Sequence, residues 1–342
     1  MSVPPVDPDA IARAARLLVE GRLVAFPTET VYGLGADADQ VQAVRAIFTA
    51  KGRPTDHPVI VHVAHLQAAA AWAADLPPAA RTLAQRFWPG ALTLVVARGG
   101  RAHDALTGAQ PSVGLRCPSH PWAQALLAAL GRESNDASRG IAAPSANRFG
   151  RISPTRAEHV RADLGEKPDG LVDLILDGGP CPVGIESTIV DLTGEVPRLL
   201  RPGSITREAI GQVLGFEVGV AGRDDVGAPR APGRLMRHYA PAKPLELVDP
   251  DRLAERVRQL GPRRVAVLAP APALPGVGLW LSAPAAPEAY AYHLYEFLRR
   301  MDASGAERLL VQRPAGGLQW AALHDRLERA AAATGGRYED AD

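Results

Sequence analysis

GRLVAFPTETVYGLG, residues 21–35, is the stretch from which the architecture is read. Gly21 stops whatever helix precedes it. Residues 23–26 are a short apolar run of strand length, and Pro27 turns the chain. Thr28, Glu29 and Thr30 then sit in the turn, followed by Gly33 and Gly35, which allow a backbone to approach a ligand closely. A strand-to-helix turn with ordinary caps accounts for the same residues, and the pattern alone leaves both open. Outward from this stretch, residues 9–20 (DAIARAARLLVE) carry apolar side chains at helical spacing, with Asp7 or Asp9 available as cap. Residues 37–51 (DADQVQAVRAIFTAK) repeat the helical pattern, and 57–63 (HPVIVHV) read as a strand.

The alternation continues to about residue 215. Residues 79–88 and 121–131 are helical, the first stopped by Pro89-Gly90 and the second by Gly131. Strands are expected at 91–97, 112–117, 140–144, 171–179, 187–192 and 197–203. Because several strands follow one another directly, the expected fold is α/β with a mixed, twisted sheet. From residue 216 the pattern breaks into a Gly- and Pro-rich linker to residue 244, long for a simple connection. Residues 245–342 resume as strand, helix, strand, strand, helix, strand, helix, the order of a small Rossmann-like open parallel β/α domain. The expected division is thus 1–215, 216–244 and 245–342.

Composition narrows the function classes. The chain has 342 residues, 46% of them hydrophobic, and a formal net charge of +1; its mean hydropathy is −0.05. That balance suits a soluble globular protein and argues against one that coats nucleic acid through bulk charge. Two cysteines, Cys117 and Cys181, lack zinc-ligand spacing and are too few for a disulfide framework, so a reducing cytoplasm and no metal site are expected. No basic stretch followed by an apolar run opens the chain, and no run approaches a membrane span. Of 38 basic residues only Lys51, Lys167 and Lys243 are lysine, and asparagine occurs only at Asn135 and Asn147. Lys51 and Asn147 both fall inside dense motifs.

Five segments offer chemistry. The turn at Thr28–Thr30 is one. Lys51-Gly52-Arg53-Pro54, followed by His57-Pro58, sets two cations around a glycine, which suits an anion; a basic helix end is the plain alternative. Arg116, in the apolar strand SVGLRC, needs a partner, either a ligand carboxylate or an internal Asp or Glu, with the internal partner favoured slightly. Ala143, Ser145 and Asn147, with Ser153 further on, combine small residues with directional donors and acceptors. Glu186-Ser187-Thr188 enters one strand while Arg201 leaves the next. No P-loop, G-x-G-x-x-G or H-E-x-x-H pattern is present. Such loops at strand ends suit a phosphate-bearing ligand together with a small carboxylate.

Taken in order, PTETVYGLG, KGRP with IVHV, FWPGALTLV, VGLRCP, APSAN with SPT, ESTIVD and RPG resemble the threonylcarbamoyl-AMP synthase family, whose core is the YrdC-like domain. The likeness spans roughly residues 9–215. PGRLMRHYAP at 232–241 and the small β/α domain are similar to the family's long, two-domain branch. The resemblance implies an enzyme, a nucleotidyltransferase that makes threonylcarbamoyl-AMP and pyrophosphate from L-threonine, bicarbonate and ATP with Mg2+. It further implies that a separate transferase passes the group to tRNA adenosine beside the anticodon. By the same resemblance Lys51 and Arg53 are the catalytic phosphate clamp, and Thr30, His62, Arg116, Ala143 and Ser187 bind threonine. Lys51, Arg53, His57, Ser112, Ser145, Asn147, Ser153 and Arg201 line the nucleotide, with His238 or Tyr239 as a lid. His57 stands where the family more often has Asn. Residues 132–139 look like an inserted surface loop without a role.

Two other readings compete. A carbamoyl-adenylate-forming transferase shares the domain but adds zinc-binding and catalytic modules that are missing here. A ribosome-associated or RNA-binding YrdC-like module would show salt-dependent RNA affinity without ATP turnover; net charge leaves room only for weak RNA contact.

Overall fold

Strong amphipathic periodicity and correctly placed caps make the first helix, Pro8–Val19. Asp7, not Asp9, caps it, its Oδ1 accepting from the Asp9 and Ala10 N–H groups. The computed structural model describes residues 3–222, 227–233 and 238–334. By compactness the chain forms two units, residues 1–149 with 154–234, and residues 150–153 with 235–342.

In the first unit, β1 (Val24–Phe26) shows why the sheet is buried on both sides. Val24 and Phe26 pack in one apolar cluster with helices Pro8–Val19 and Pro121–Glu133, whereas Ala25 packs in another with helices Val41–Lys51 and Pro78–Phe87. Successive strand residues face opposite sides, so a three-residue strand feeds two cores. The other strands are β2 (Gly33–Asp37), β3 (Val61–His62), β4 (Leu92–Ala97), β5 (Ser112–Arg116), β6 (Ile141–Ala142), β7 (Leu174–Ile175), β8 (Thr188–Asp191), β9 (Arg198–Arg201) and β10 (Gly219–Val220). Their order is β10-β9-β8-β4-β5-β3-β6-β2-β1-β7. Parallel and antiparallel pairs mix, as the direct succession of strands implied.

Three expectations need correction. GLGAD does not read as a strand, yet it is β2, the antiparallel partner of β1. Its glycines serve packing more than ligand approach. A Cβ on Gly35 would sit 2.9 Å from Ile141 and Phe26 side-chain atoms and 3.1 Å from the Val24 carbonyl; one on Gly33 would meet Ala143 and Phe26. Helix Pro121–Glu133 runs through Gly131 instead of ending there. Residues 132–139 are no idle surface loop: Asp136 and Ser138 bind Arg101, Arg139 pairs with Asp37, and Arg101 also grips Asp39 and lies over Trp72.

The second unit is a four-stranded, all-parallel sheet of β11 (Leu245–Val248), β12 (Val265–Ala269), β13 (Leu279–Ser282) and β14 (Arg308–Gln312), ordered β11-β14-β12-β13. Helices Leu253–Leu260, Pro287–Ala303 and Ala321–Ala333 accompany it. Residues 150–153 belong here: Arg151 pairs with Asp302 and Arg299 donates to the Ile152 carbonyl. No helix among the described residues is long and apolar enough to cross a membrane.

Candidate active site

Strand register brings the polar residues of the first unit into line. His62 on β3 pairs with Arg116 on β5, Arg116 pairs with Thr93 on β4, Thr93 with Ile189 on β8, and Ile189 with Arg201 on β9. Paired residues share a sheet face, so five strands present one transverse row. Two residues further along each strand the same face carries Ile60, Gly114 and Val95, and then Ser112 on β5. Those residues floor a shallow, open pocket, which Gln110, Arg230, Ala231 and Pro232 also line.

Arg116 is the centre of the row. The internal partner is Glu29: Nη2 and Oε1 stand 2.7 Å apart, with side chains only 5% and 6% exposed. The approach is too bent for a hydrogen bond, so neither atom carries one. Glu29 Oε2 accepts from the Ser119 N–H at 3.1 Å. His62 is buried, its Nδ1 has no partner, and desolvation, with Arg116 adding to it, pushes its pKa down to about 3. His62 is therefore neutral at pH 7. His120, which also feels the Glu29 charge, is buried with Nε2 unpartnered and is pushed down by desolvation to about 4. Buried polar atoms are satisfied in the great majority of cases, and a cluster of exceptions around one ion pair asks for a ligand.

Glu29 reaches Arg116 because its turn is locked. Thr28 Oγ1 donates to the Val31 carbonyl at 2.7 Å, accepts from the Thr30 and Val31 N–H groups, and meets Thr30 Oγ1 at 2.8 Å. The segment beyond it is stitched to 143–147: Leu34 N–H donates to the Pro144 carbonyl and Ala146 N–H to the Tyr32 carbonyl. Ala143 spends its N–H on the Ile60 carbonyl. Lys51 joins the same assembly, its Nζ donating to the Ser145 and Asn147 carbonyls, while Phe149 N–H donates back to the Lys51 carbonyl. Gly52, at φ +65°, ends the helix and lets Arg53 turn back, its N–H reaching the Phe48 carbonyl. Arg53 donates to the Pro58 carbonyl at 2.8 Å and lies over the Phe149 ring, against which His57 also packs edge-on. Burial, with Arg53 adding to it, pushes Lys51 well below the ordinary lysine range, and the same two causes lower His57. An arriving anion offsets both.

Ser187 Oγ meets Thr93 Oγ1 at 2.7 Å and accepts from Arg201 Nη2 at 3.1 Å. Arg201 also holds the Ser187 carbonyl and, through Nη1, the Pro232 carbonyl at 2.9 Å. The structure thus gives Arg201 a bracing task that its sequence context did not suggest. Gln110 exchanges two bonds with the Arg230 backbone, and Arg230 Nη2 donates to the Gly108 carbonyl. A strap of linker residues is in this way fastened beside the pocket.

The sequence-expected residues divide accordingly. Thr30, Lys51, Arg53, His57, His62, Ser112, Arg116, Ala143, Ser145, Asn147, Ser187 and Arg201 lie in the first unit. Ser153, His238 and Tyr239 lie in the second, where Tyr239 stacks on Tyr295 and under the Arg326 guanidinium. Linker residues 223–226 and 234–237 fall outside the described residues. Glu29, Thr93, Gln110, Arg230 and His120 had not been singled out for these contacts. Glu29 stood in the polar turn already noted, and Thr93 carried a signal of its own, a lone hydroxyl in the buried strand LTLVVA. Among the described residues no group of three His, Cys, Asp or Glu is placed to hold a metal ion.

Two family models divide the chain between them. The Sua5–YciO–YrdC model, described as telomere recombination, matches residues 16–203, and the model described as threonylcarbamoyl-AMP synthase, C-terminal domain, matches residues 205–332. Threonylcarbamoyl-AMP synthase of Bacillus subtilis is 46% identical over 264 residues, covering 75% of this chain and 73% of its own. Its counterpart from Pyrococcus abyssi is 43% identical over 252 residues, 72% of this chain and 71% of its own. The crystal structure of P. abyssi Sua5 complexed with L-threonine aligns with a TM-score of 0.87 at 36% identity, over 97% of this chain and 96% of that one.

Proposed function

The chain belongs to the threonylcarbamoyl-AMP synthase family and is an enzyme of that kind, and from this premise we propose the reaction it performs in detail. L-threonine, CO2 from bicarbonate, and MgATP give threonylcarbamoyl-AMP and pyrophosphate. The threonine ammonium first loses a proton to become the free amine, which bicarbonate can take up as it yields CO2 and water; the amine nitrogen then adds to CO2 with loss of a second proton, giving a carbamate. A carbamate oxygen then attacks the α-phosphorus, the bond from that phosphorus to the β-phosphate bridge breaks, and pyrophosphate leaves. The nucleophile is already anionic, so the barrier lies in bringing two anions together, which favours positioning and positive charge over acid–base work.

The observation that carries the proposal is the row His62–Arg116–Thr93, which sets a buried cation and a neutral histidine in register beside Thr93, itself a lining residue of the pocket. Arg116 takes the threonine carboxylate, with Thr30, His62, Ala143 and Ser187 around the amino acid. Lys51 and Arg53 clamp the phosphates, and His57, Ser112, Ser145, Asn147, Ser153 and Arg201 line the nucleotide. The same reading assigns His238 or Tyr239 as a lid residue, whose task is to keep water from a labile mixed anhydride. Mg2+ enters as part of the substrate MgATP. A separate transferase consumes the product on tRNA adenosine. Two free, buried cysteines suit a reducing cytoplasm, where we place the enzyme.

Incubating the full chain with ATP, Mg2+, bicarbonate and threonine, and following pyrophosphate, tests the proposal. Release that requires both threonine and bicarbonate supports it. Salt-dependent RNA binding with no threonine-dependent release sinks it in favour of an RNA-binding module.

A further inference from the structure

Between Asn147 and Ser153 the chain changes units: residues 150–153 belong to the second, and the residues on either side of them to the first. On the entry side, Phe149 donates its N–H to the Lys51 carbonyl and carries the Arg53 guanidinium over its ring. On the exit side, the Pro154 carbonyl accepts from the Tyr32 N–H at 2.8 Å. The stretch between is held by one stripe of helix Pro287–Ala303. Arg299 Nη2 donates to the Ile152 carbonyl at 2.6 Å, and Asp302 pairs with Arg151 at 3.3 Å. Asp302 also accepts from the Ala242 and Lys243 N–H groups, and Tyr295 stacks on Tyr239. Positions 295, 299 and 302 stand at i, i+4 and i+7, so they share one face of the helix. The two segments they hold are also bonded to each other, the Ala240 N–H donating to the Gly150 carbonyl at 2.8 Å. Residues 150–153 add no strand to the second unit's sheet. Their attachment therefore does more for the loop than for the unit.

We propose that Arg299 and Asp302 are positioning residues for the nucleotide: by fixing the loop that runs from Asn147 to Ser153, they let the second unit set the affinity for ATP. This rests on the nucleotide reading above, which assigns Asn147 and Ser153 to ATP and gives neither Arg299 nor Asp302 a substrate contact. A loop fixed before the ligand arrives spares the binding step the entropy of ordering it. Arg299 suits the task because a charged donor holds a carbonyl more firmly than a neutral one. Threonine is assigned to Thr30, His62, Arg116, Ala143 and Ser187, none of which lies in the loop. The effect of the stripe accordingly falls on ATP and spares threonine.

The test assays the full chain for threonine-dependent pyrophosphate release and follows threonine binding by calorimetry. Arg299→Met keeps the stem and removes the donor. It raises the KM for ATP by roughly 10-fold, the low end for a hydrogen bond from a charged donor, with kcat less affected and the Kd for threonine within about 2-fold of the wild type. Asp302→Leu acts in the same direction, and Arg299→Lys, which restores a donor, recovers most of the loss. An unchanged KM for ATP in folded Arg299→Met and Asp302→Leu overturns the proposal. So does an equal loss of threonine binding, because a merely structural role weakens both ligands. The wild type supplies a test that needs no variant: MgATP slows hydrogen exchange of the Ala240, Ala242 and Lys243 amides, since ligand and clamp stabilise each other reciprocally. No slowing there overturns the proposal even if the variants fold poorly. A wild type without threonine-dependent release overturns the functional reading and this inference with it, whereas an active wild type matched by its variants overturns this inference alone.

Discussion

The two sheets bury charge in opposite ways. In the second unit the strands are apolar, as in VAVLA and RLLVQ, and the fully buried Arg326 closes on Asp325, which also takes Arg329. In the first unit a comparably buried arginine meets a carboxylate without completing a hydrogen bond, beside a histidine nitrogen with no partner. Around Arg326 the charged groups satisfy one another, whereas around Arg116 polar atoms are left without hydrogen bonds. The difference can be broken at several points.

The largest effect is expected at the pair itself. Arg116→Leu strands a buried carboxylate and costs ~3–5 kcal/mol, seen as a lower midpoint in urea, and abolishes threonine-dependent turnover. Adding Glu29→Leu to that variant recovers most of the stability and none of the turnover. If the double variant stays as unstable as the single one, the pair is scaffold like Arg326 and Asp325. Next comes Lys51→Met, which removes the clamp while keeping the stem's volume. Turnover falls by ~100-fold or more, and threonine binding by calorimetry changes little.

Acid sharpens the contrast through His62. Its folded pKa of about 3 lies below the ordinary histidine value, so between pH 6.5 and about 3 the unfolded chain binds a proton that the folded chain does not. Stability contributed by the neutral, buried ring is fully present above pH 6.5 and is lost as pH falls through that window, by up to ~1.4 kcal/mol per pH unit. His62→Gln flattens the urea-derived stability curve by about one proton there; an unchanged slope contradicts the assignment. The smallest effects concern the strap. Gln110→Ala removes two bonds to the Arg230 backbone, each worth ~1 kcal/mol, and raises the KM for ATP by roughly 5- to 30-fold with kcat less affected.

Much of this was legible from residues. Apolar periodicity marked the helix at 9–20, the body of the helix expected at 37–51, which starts only at Val41, and the long strands, because those patterns are local. β2 was not legible: GLGAD has turn composition, and only close packing on Phe26 and Ile141 makes it a strand. The demand that Arg116 be paired was visible, but the identity of Glu29 was not, since 87 residues separate them and register, not spacing, brings them together. Arg201 shows the same limit. An arginine leaving a strand reads as a ligand contact or plain turn chemistry, and only its bonds to Ser187 and Pro232 reveal the bracing. The clasp of Arg101, Asp136 and Arg139 was hidden because its partners lie in three separate loops.

The most direct test of the central claim is isotopic. The full chain is incubated with ATP, Mg2+, L-threonine and 13C-labelled bicarbonate, and the adenylated product is weighed by mass spectrometry. A threonine adenylate carrying one labelled carbon, and lost in Arg116→Leu, is the predicted result. An unlabelled threonine adenylate, or no threonine-dependent adenylate at all from folded protein, would contradict it.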